Sequence, residues 1–377
     1  MPKIAKLEIR NYEYSLPPER AYGQARGLNF SRSCSLILAT SNEGVVGIGE
    51  AGGPARVLRA YLELLKPFFL GRSIYDFEII ASEIYNRLYH FGVQGHPTAC
   101  LSGISIALTD AIGKTLGVPA HDLLGGKSAE VFQCYATTGY FTRDDVAGFE
   151  SQLRGIAGKF NAVKIKIGRS PASDLDRVRT ARKILGDQVL MMVDINGNYT
   201  MDIALESLRG IAPYNIHWCE EPLPPTDVRG YSELRARSPV ALSAGEAFYT
   251  VHDFKRLVEA RGLDILQPSL LSCGGFGQAK AIAQLAWQNN LRLSPSVWGN
   301  GVAIAASLQF AASLPVWPHT DNQPFPMLIE FDVGENPLRE AILKAPFTVE
   351  NSTLSLPGGV GLGVEIDEAG AKIFERE

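Results

Sequence analysis

The sequence predicts an α/β protein in which a series of strand-helix units follows a smaller α+β segment. In the first 50 residues apolar and polar positions alternate in short runs, which is typical of an antiparallel sheet. From residue 55 to 117 apolar residues recur at helical spacing. From about Phe132 short β-type runs alternate with helical segments. Repeated βα units need a parallel sheet, and this many of them favour closure into a barrel.

The local patterns place each element. Residues 33–40 and 45–50 are predicted to pair through a turn at 41–44, and the tail from about 345 is predicted to form turns and a short strand that returns to the first segment. The predicted barrel strands are 163–167, 189–195, 216–220, 240–245, 265–267 and 291–296. The predicted helices between and after them are 174–185, 201–211, 230–237, 251–261, 277–289 and 301–314.

Length, composition and charge narrow the class of protein. A chain of 377 residues exceeds the usual size of one core, so we expect one large and one smaller domain. With 46% hydrophobic and 20% charged residues the composition is that of a soluble globular protein. The net charge of -4 gives no reason to expect nucleic acid or an anionic membrane as a partner, because both require a basic face. The expected partner is a small molecule.

The cysteines and the termini indicate the compartment. Five widely scattered cysteines suit reduced thiols better than a disulfide framework or a zinc site. The N-terminal segment MPKIAKLEIR lacks the apolar core of a signal peptide, and the longest apolar stretch, 301–317, is interrupted by polar residues. A cytoplasmic protein with no membrane span is expected.

Three acids recur at one spacing. Asp194, Glu220 and Glu246 are separated by 26 residues each (220 - 194 and 246 - 220), and each is predicted to end a strand. In a barrel these ends share the C-terminal face, so the carboxylates would point at one spot. Clustering three negative charges is costly unless a cation balances them, and oxygen-only ligation selects a hard ion such as Mg²⁺. The alternative is that each is an ordinary solvated loop acid.

Two lysines precede these acids in the run 163–167. Because side chains alternate along a strand, Lys164 and Lys166 share one face and three β-branched residues share the other. The apolar face would pack on the helices, which turns both lysines into the barrel. Two ammonium groups near each other and near a divalent cation are expected to lose basicity, which would suit a general base. A solvated edge strand is the alternative.

Other residues near these motifs have weaker signals. Asn196 has the parity of Asp194 and is a candidate substrate or supporting contact, or else a turn residue beside Gly197. Glu221 is a candidate partner of the neighbouring ligands, with a structural role equally open. The glycine-rich run 359–363 lacks a following helix, so it is interpreted as a turn and not as a phosphate loop.

These motifs together resemble the enolase superfamily, specifically its mandelate racemase (mandelate racemase and muconate lactonizing enzyme) subgroup. Within it the chain is similar to galactarolactone cycloisomerases and acid-sugar dehydratases. The resemblance covers nearly the whole chain and includes shorter motifs at 101–108, 124–126, 273–276 and 297–299. The sequences that carry it are Lys-x-Lys at 164–166, Val-Asp-Ile-Asn at 193–196, Cys-Glu-Glu-Pro at 219–222 and Ala-Gly-Glu at 244–246.

The resemblance implies a modified TIM barrel, (β/α)₇β, at residues 126–345. A capping α+β domain at 1–125 would be completed by the tail 346–377. The resemblance also implies one Mg²⁺ per subunit and substrate choice by cap loops near 20–27 and 49–53. A homo-oligomer is expected. The implied roles are metal ligation by Asp194, Glu220 and Glu246, proton abstraction by Lys166, support of the substrate carboxylate by Lys164, and a hydrogen bond to that carboxylate from Glu330.

One departure from the family pattern affects the chemistry. Family members usually carry an Asp after the sixth strand and a His after the seventh, which form a second acid/base pair. Here Ser269 and Ser296 stand at these positions, and no histidine occurs between His252 and His319. With Trp298, the two serines are candidate substrate or supporting contacts. The site therefore has one recognisable base.

The expected activity is abstraction of the proton α to a carboxylate, followed by β-elimination from a sugar-acid-like substrate. Elimination would be dehydration or ring opening by a cycloisomerase, which makes the protein a carbon-oxygen lyase or intramolecular lyase. A racemase or epimerase of a hydroxy or amino carboxylate would use the same enolate but needs a second base. A catalytically impaired member would keep the fold and lose the chemistry, although its costly charge cluster would then have no use.

Overall fold

A computed structural model describes residues 1–316 and 327–376. The N-terminal part is a four-stranded antiparallel sheet. Its strands lie in the order 375–376 from the tail, 4–15, 31–41 and 46–51. Three long helices follow, as the periodicity predicted. The elements are β1 Ile4–Ser15, β2 Tyr22–Gln24, β3 Gly27–Asn29, β4 Ser31–Ser41, β5 Val46–Ala51, α1 Ala55–Phe69, α2 Phe77–Leu88, α3 His96–Leu116 and α4 Ala120–Leu123.

Among the described residues, seven strand-helix units and a final strand then form the curled parallel sheet. This confirms the predicted (β/α)₇β barrel. The elements are β6 Val131–Thr138, α5 Asp145–Ile156, β7 Ala162–Lys166, α6 Pro171–Leu185, β8 Leu190–Asp194, α7 Met201–Ile211, β9 Ile216–Glu220, α8 Val228–Arg235, β10 Leu242–Ala244, α9 Thr250–Glu259, β11 Ile265–Leu266, α10 Phe276–Gln288, β12 Arg292–Leu293, α11 Gly301–Ala312 and β13 Ile329–Asp332.

The strand order explains how the barrel closes. Consecutive strands β6 to β12 pair side by side, and β13 returns to pair in parallel with β6. Where β12 faces β13, the Ser294 hydroxyl donates to the Leu328 carbonyl over 2.8 Å. Tight sequential pairing follows from the short connections between a strand and its own helix.

The tail contacts both parts of the chain. It contains α12 Pro337–Ala341, β14 Thr353–Ser355, α13 Glu368–Lys372 and β15 Glu375–Arg376. β14 pairs antiparallel with barrel strand β6, and β15 pairs with β1 of the cap. The expected return of the tail to the first segment is thus found for its last strand. The division into 1–125 with 346–377, and 126–345, stays a prediction.

Burial separates the apolar layers. One cluster lies within the cap between its sheet and helices, and a larger one joins the outer face of the barrel to its helices. A third cluster, formed by Tyr135, Met192, Trp218, Leu328 and smaller neighbours, fills the inside of the barrel. It gives the active-site end of the barrel a solid apolar floor.

Helix α3 is long and apolar enough to cross a membrane. In this protein 72% of its most apolar 18-residue stretch is buried, and its side chains belong largely to the core of the cap. That burial is typical of the core helix of a soluble protein.

Candidate active site

Both lysines of β7 point into the barrel, as their parity predicted. Their exposed fractions are 0% for Lys164 and 6% for Lys166. The intervening Val163 and Ile165 point outward into the core beneath the helices. The alternation therefore holds two ammonium groups on the inner face of one strand.

Lys164 is clamped in the centre of the barrel. Its Nζ lies 2.6 Å from Glu220 Oε1 and 2.9 Å from Glu330 Oε1, and 5.3 Å from the ring centre of Tyr135 in the apolar floor. These contacts cross from β7 to β9 and β13. They leave Lys164 as a fixed, buried positive charge.

Lys166 lies two residues after Lys164 along β7, at the mouth of the barrel. Its Nζ donates to Asp194 Oδ2 over 2.5 Å and lies 5.7 Å from the ring centre of Trp298. Unlike Lys164, it lines a cavity of about 120 Å³. The cavity is therefore accessible to the amine of Lys166 and closed to that of Lys164.

The three acids of the 26-residue spacing follow neighbouring strands. Asp194 and Glu220 end β8 and β9 as predicted, whereas Glu246 lies two residues beyond the end of β10. Asn196 joins two of them, because its backbone N-H donates to Asp194 Oδ1 over 2.8 Å and its amide donates to Glu246 Oε1 over 3.3 Å. Asn196 also has a φ of 51°, as a turn residue does. It is therefore both a turn residue and a supporting contact, the two interpretations that the sequence allowed.

The two serines that replace the family's second acid/base pair lie side by side. The backbones of Ser269 and Ser296 form an isolated parallel bridge. The Ser296 hydroxyl lies 3.2 Å from Glu246 Oε2 and 3.2 Å from Glu330 Oε2. Ser296 thus links the carboxylates of two strands, while Ser269 makes its contact through the backbone.

Glu330 lies behind the cavity, in contact with donors of the protein itself. It accepts from Thr137 Oγ1 over 2.6 Å, from Lys164 over 2.9 Å and from the backbone N-H of Val297 over 2.9 Å. Burial opposes its charge, but Lys164 and the Thr137 hydrogen bond lower the pKa of Glu330 to about 2. It is an acceptor that holds Lys164, and its contact with a substrate carboxylate stays a prediction.

Sequence reasoning missed several residues of the site. Thr137 on β6 supports Glu330, and the Gln267 amide donates to Glu220 Oε2 over 2.7 Å. For both residues the available signal was the alternation of side chains along a strand, which turns each of them into the barrel. Tyr140 and Arg32 surround Trp298, with ring centres 5.8 Å apart for the aromatic pair and the guanidinium carbon 5.1 Å from the indole. No local pattern indicates these two contacts, because they join distant parts of the chain.

The cap covers the barrel mouth. Its residues Tyr22, Gln24 and Asn29 line the same cavity as Lys166 and Glu246. Part of the predicted 20–27 loop is therefore placed over the base. Residues 50–53 line a second, adjoining cavity of about 390 Å³.

We expected the neighbouring lysine and a divalent cation to lower the pKa of both lysines. The protein's own charges have the opposite effect. Burial and the charge of Lys164 lower the pKa of Lys166, but Asp194, Glu246 and Glu220 outweigh them and the net pKa is raised. The pKa of Lys164 is likewise raised, because Glu220 and Glu330 overcome its burial. The acids that contact the two lysines, which the expectation left out, account for the difference.

Comparison with known proteins identifies the family. Residues 149–370 match the family described as enolase C-terminal domain-like, and residues 23–125 match the N-terminal domain of the mandelate racemase / muconate lactonizing enzymes. The D-galactarolactone cycloisomerase of Agrobacterium fabrum is 36% identical over 91% of this chain and 92% of its own. The chain belongs to the mandelate racemase / muconate lactonizing enzyme family of the enolase superfamily.

Further relatives agree in reaction class and in fold. The arabinonate dehydratase of Saccharolobus solfataricus is 29% identical over 90% of each chain. The crystal structure of the 3,6-anhydro-D-galactonate cycloisomerase from Zobellia galactanivorans covers both chains fully, with 30% identity and a TM-score of 0.88. This family member is an enzyme of the lyase or cycloisomerase class that these relatives represent.

Members of this superfamily typically use Mg²⁺, and a racemase from Streptomyces coelicolor with bound magnesium shares the fold, with 27% identity, coverage of 99% and 100%, and a TM-score of 0.86. The acids of this chain have the excess negative charge that such an ion offsets. Burial, and then neighbouring carboxylates, raise the pKa of Glu220 to about 8 despite Lys164, and raise those of Glu221 and Glu246. Two buried oxygens, Asn196 Oδ1 and Glu221 Oε1, have no hydrogen-bond partner.

The oxygen-only donor set therefore fits a hard divalent cation. Within residues 1–316 and 327–376, however, no three His, Cys, Asp or Glu side chains form a ready-made metal cluster. Ammonium groups contact two of the acids, with Lys166 on Asp194 Oδ2 and Lys164 on Glu220 Oε1. Metal binding by this family member would replace contacts that the lysines now make.

We predict that Arg177 of α6 holds the end of β7 in place. Its guanidinium donates to the carbonyls of Lys166 (2.9 Å) and Gly139 (2.5 Å) and lies 3.0 Å from Asp145. Arg177→Met should lower the free energy of unfolding by about 2–3 kcal/mol, because charged buried hydrogen bonds are lost. Urea denaturation measures this, with the exposed Arg179→Met of the same helix as control. Equal stability of the two variants would contradict the prediction.

Proposed function

We propose that this enzyme removes the proton α to the carboxylate of a hydroxylated, acid-sugar-like substrate and then expels a β-oxygen substituent. One observation carries the proposal. Among the described residues that line the cavity, Lys166 is the only basic side chain. The names of its relatives support the reaction class, since they are acid-sugar dehydratases and cycloisomerases. Loss of the β-substituent would be dehydration or ring opening.

We propose different tasks for the two lysines. Lys166, at the cavity wall, would accept the α-proton in its neutral form. Lys164, held between Glu220 and Glu330, would remain charged and stabilise negative charge that develops at the substrate carboxylate. The acids that raise the pKa of Lys166 are also the proposed metal ligands, so their neutralisation would lower it.

We propose one Mg²⁺ per subunit, held by Asp194, Glu220 and Glu246, with Glu221 and Asn196 beside it. When bound, this ion would supply Lewis-acid stabilisation of the enolate charge. Asn196 and Ser296 both contact Glu246 and would set the orientation of its carboxylate.

The surroundings of the enzyme are part of the proposal. All five cysteines are buried free thiols, which supports a reducing cytoplasm. A homo-oligomer is proposed for the assembly, and static light scattering of the purified protein tests it. A monomer at micromolar concentration would refute that part alone.

Deprotonation should occur on one face of the substrate. Ser269 and Ser296 replace the second acid/base pair, and a serine hydroxyl is far too weak a base to act for it, even where the carboxylates of Glu246 and Glu330 lie beside Ser296. A panel of acid sugars, their lactones and their anhydro forms, incubated with Mg²⁺ in D₂O, should yield one substrate in which a single C2 epimer exchanges its α-proton, as followed by NMR. Comparable exchange in both epimers would indicate a second base and favour an epimerase. Absence of exchange and of product across the panel would favour an impaired member.

A further inference from the structure

The cavity around Lys166 is the smaller of two adjoining cavities at the barrel mouth. Its volume is about 120 Å³, against about 390 Å³ for its neighbour. If the carboxylate and the α-carbon of an acid sugar lie beside Lys166, the rest of the carbon chain needs further space.

The adjoining cavity, here called the distal cavity, provides this space. It has a volume of about 390 Å³ and shares Tyr22, Asn29 and Trp298 with the cavity of Lys166. Trp298 forms a wall of both, with its indole 38% exposed. An exposed aromatic ring at this position offers a flat surface to the C-H face of a sugar chain.

The charges of the distal cavity are already compensated. Arg32 Nη1 lies 3.0 Å from Asp332 Oδ2, and the two side chains are 6% and 5% exposed. Glu50 accepts from the backbone N-H of Asn300 (2.9 Å) and Ala303 (3.0 Å), and from the Asn300 amide (2.9 Å). Among the described residues that line this cavity, one cation therefore faces two carboxylates, and no further positive charge is left to neutralise a ligand carboxylate.

The remaining polar surface of the distal cavity consists of hydroxyls and amides. Ser31, Ser33 and Asn29 line it, as does Asn336, whose buried Oδ1 has no hydrogen-bond partner. Such groups recognise hydroxyl groups, which both donate and accept. A second carboxylate would instead meet Glu50, which has no cationic partner within the described part of the chain, and Asp332, whose charge Arg32 already pairs, so like-charge repulsion would weaken its binding.

We propose that the substrate is an extended monocarboxylate whose uncharged, polyhydroxylated end passes Trp298 and lies in the distal cavity. Aldonates and their anhydro forms belong to this class, and sugar diacids with a free distal carboxylate do not. The proposal rests on the proposed function, since Lys166 fixes where the reacting carboxylate lies.

The test compares substrates of different length and charge. With Mg²⁺ in D₂O, kcat/KM for α-proton exchange is measured by NMR for glycerate, for stereoisomer panels of five- and six-carbon aldonates and their anhydro forms, and for six-carbon diacids. The best six-carbon aldonate should exceed the best diacid and glycerate by at least about tenfold. A preferred diacid, or glycerate exchanging as fast as the aldonates, would overturn the inference and leave the proposed function standing. Absence of exchange and of product from every acid would overturn both.

A charge added to the distal cavity gives a second measurement. Ser33 is exposed and lines this cavity, so Ser33→Arg should shift the ratio of kcat/KM for diacid over aldonate upward by at least about tenfold. Ser33→Gln, which adds length without charge, should leave the ratio unchanged. Ser355→Arg, an exposed serine of β14 outside both cavities, controls for net charge. An equal ratio in Ser33→Arg and Ser33→Gln, with both variants folded by circular dichroism, would also overturn the inference.

Discussion

Replacing Lys166 with methionine should lower the rate of α-proton exchange by roughly 10²- to 10⁴-fold, the usual contribution of a general base. The cavity would keep its shape, because methionine has a similar length, but would lose the basic group that lines it. The measurement is deuterium incorporation from D₂O into the substrate, followed by NMR at saturating Mg²⁺. Mg²⁺ affinity, measured by calorimetry, should persist, since Lys166 is a base and not a ligand.

Two further variants sharpen this experiment. Lys166→Arg keeps the positive charge beside Asp194 but cannot act as a base at neutral pH, so it should be as inactive as the methionine variant. Lys159→Met alters an exposed lysine just before β7 and should exchange normally. Full exchange in Lys166→Met would move the base to another residue and contradict the proposed mechanism.

Glu220→Gln should weaken Mg²⁺ binding by about 100-fold or more, since loss of a residue that only supports a ligand already costs 10- to 100-fold. Glutamine keeps the size of the side chain and removes the negative charge. Isothermal titration calorimetry measures the affinity directly. In the unaltered protein, Mg²⁺ at 100 times its Kd should also raise the free energy of unfolding by about 2.7 kcal/mol, and at the same Mg²⁺ concentration this gain should fall to about 0.4 kcal/mol or less in the variant.

The matched control is Glu206→Gln, which alters an exposed acid of α7. It should bind Mg²⁺ like the unaltered protein. If the unaltered, folded protein bound no divalent cation, the metal site would be refuted. If Glu220→Gln bound as tightly as the control, Glu220 would not be a ligand.

The arrangement of the site was predictable where it depends on strand periodicity. The alternation 163–167 places Lys164 and Lys166 inside the barrel, and the two 26-residue steps place Asp194 and Glu220 at neighbouring strand ends. Both arguments need only the period of a strand and the length of a βα unit. Glu246 falls two residues past its strand because β10 is shorter than its apolar run suggested.

What the sequence left open depends on contacts between distant segments. Thr137 and Val297 reach Glu330 from other strands and connections, and the low pKa of Glu330 depends on the charge of Lys164 and on the Thr137 hydrogen bond, which together outweigh its burial. The raised pKa of Lys166 likewise depends on acids that approach from neighbouring strands. Such balances of burial against charge are decided by ångström distances, which a pattern of residue types does not contain.

Glu246 is held from two sides, by the Asn196 amide at one carboxylate oxygen and by the Ser296 hydroxyl at the other. Two independent restraints on one carboxylate make its orientation redundant, so loss of either leaves a partner that limits rotation. Single alterations at Asn196 or Ser296 would then be partly masked, and their combined loss would exceed the sum of the separate ones. This redundancy would let a lineage exchange residues at position 296 while the orientation of the proposed metal-binding carboxylate is preserved.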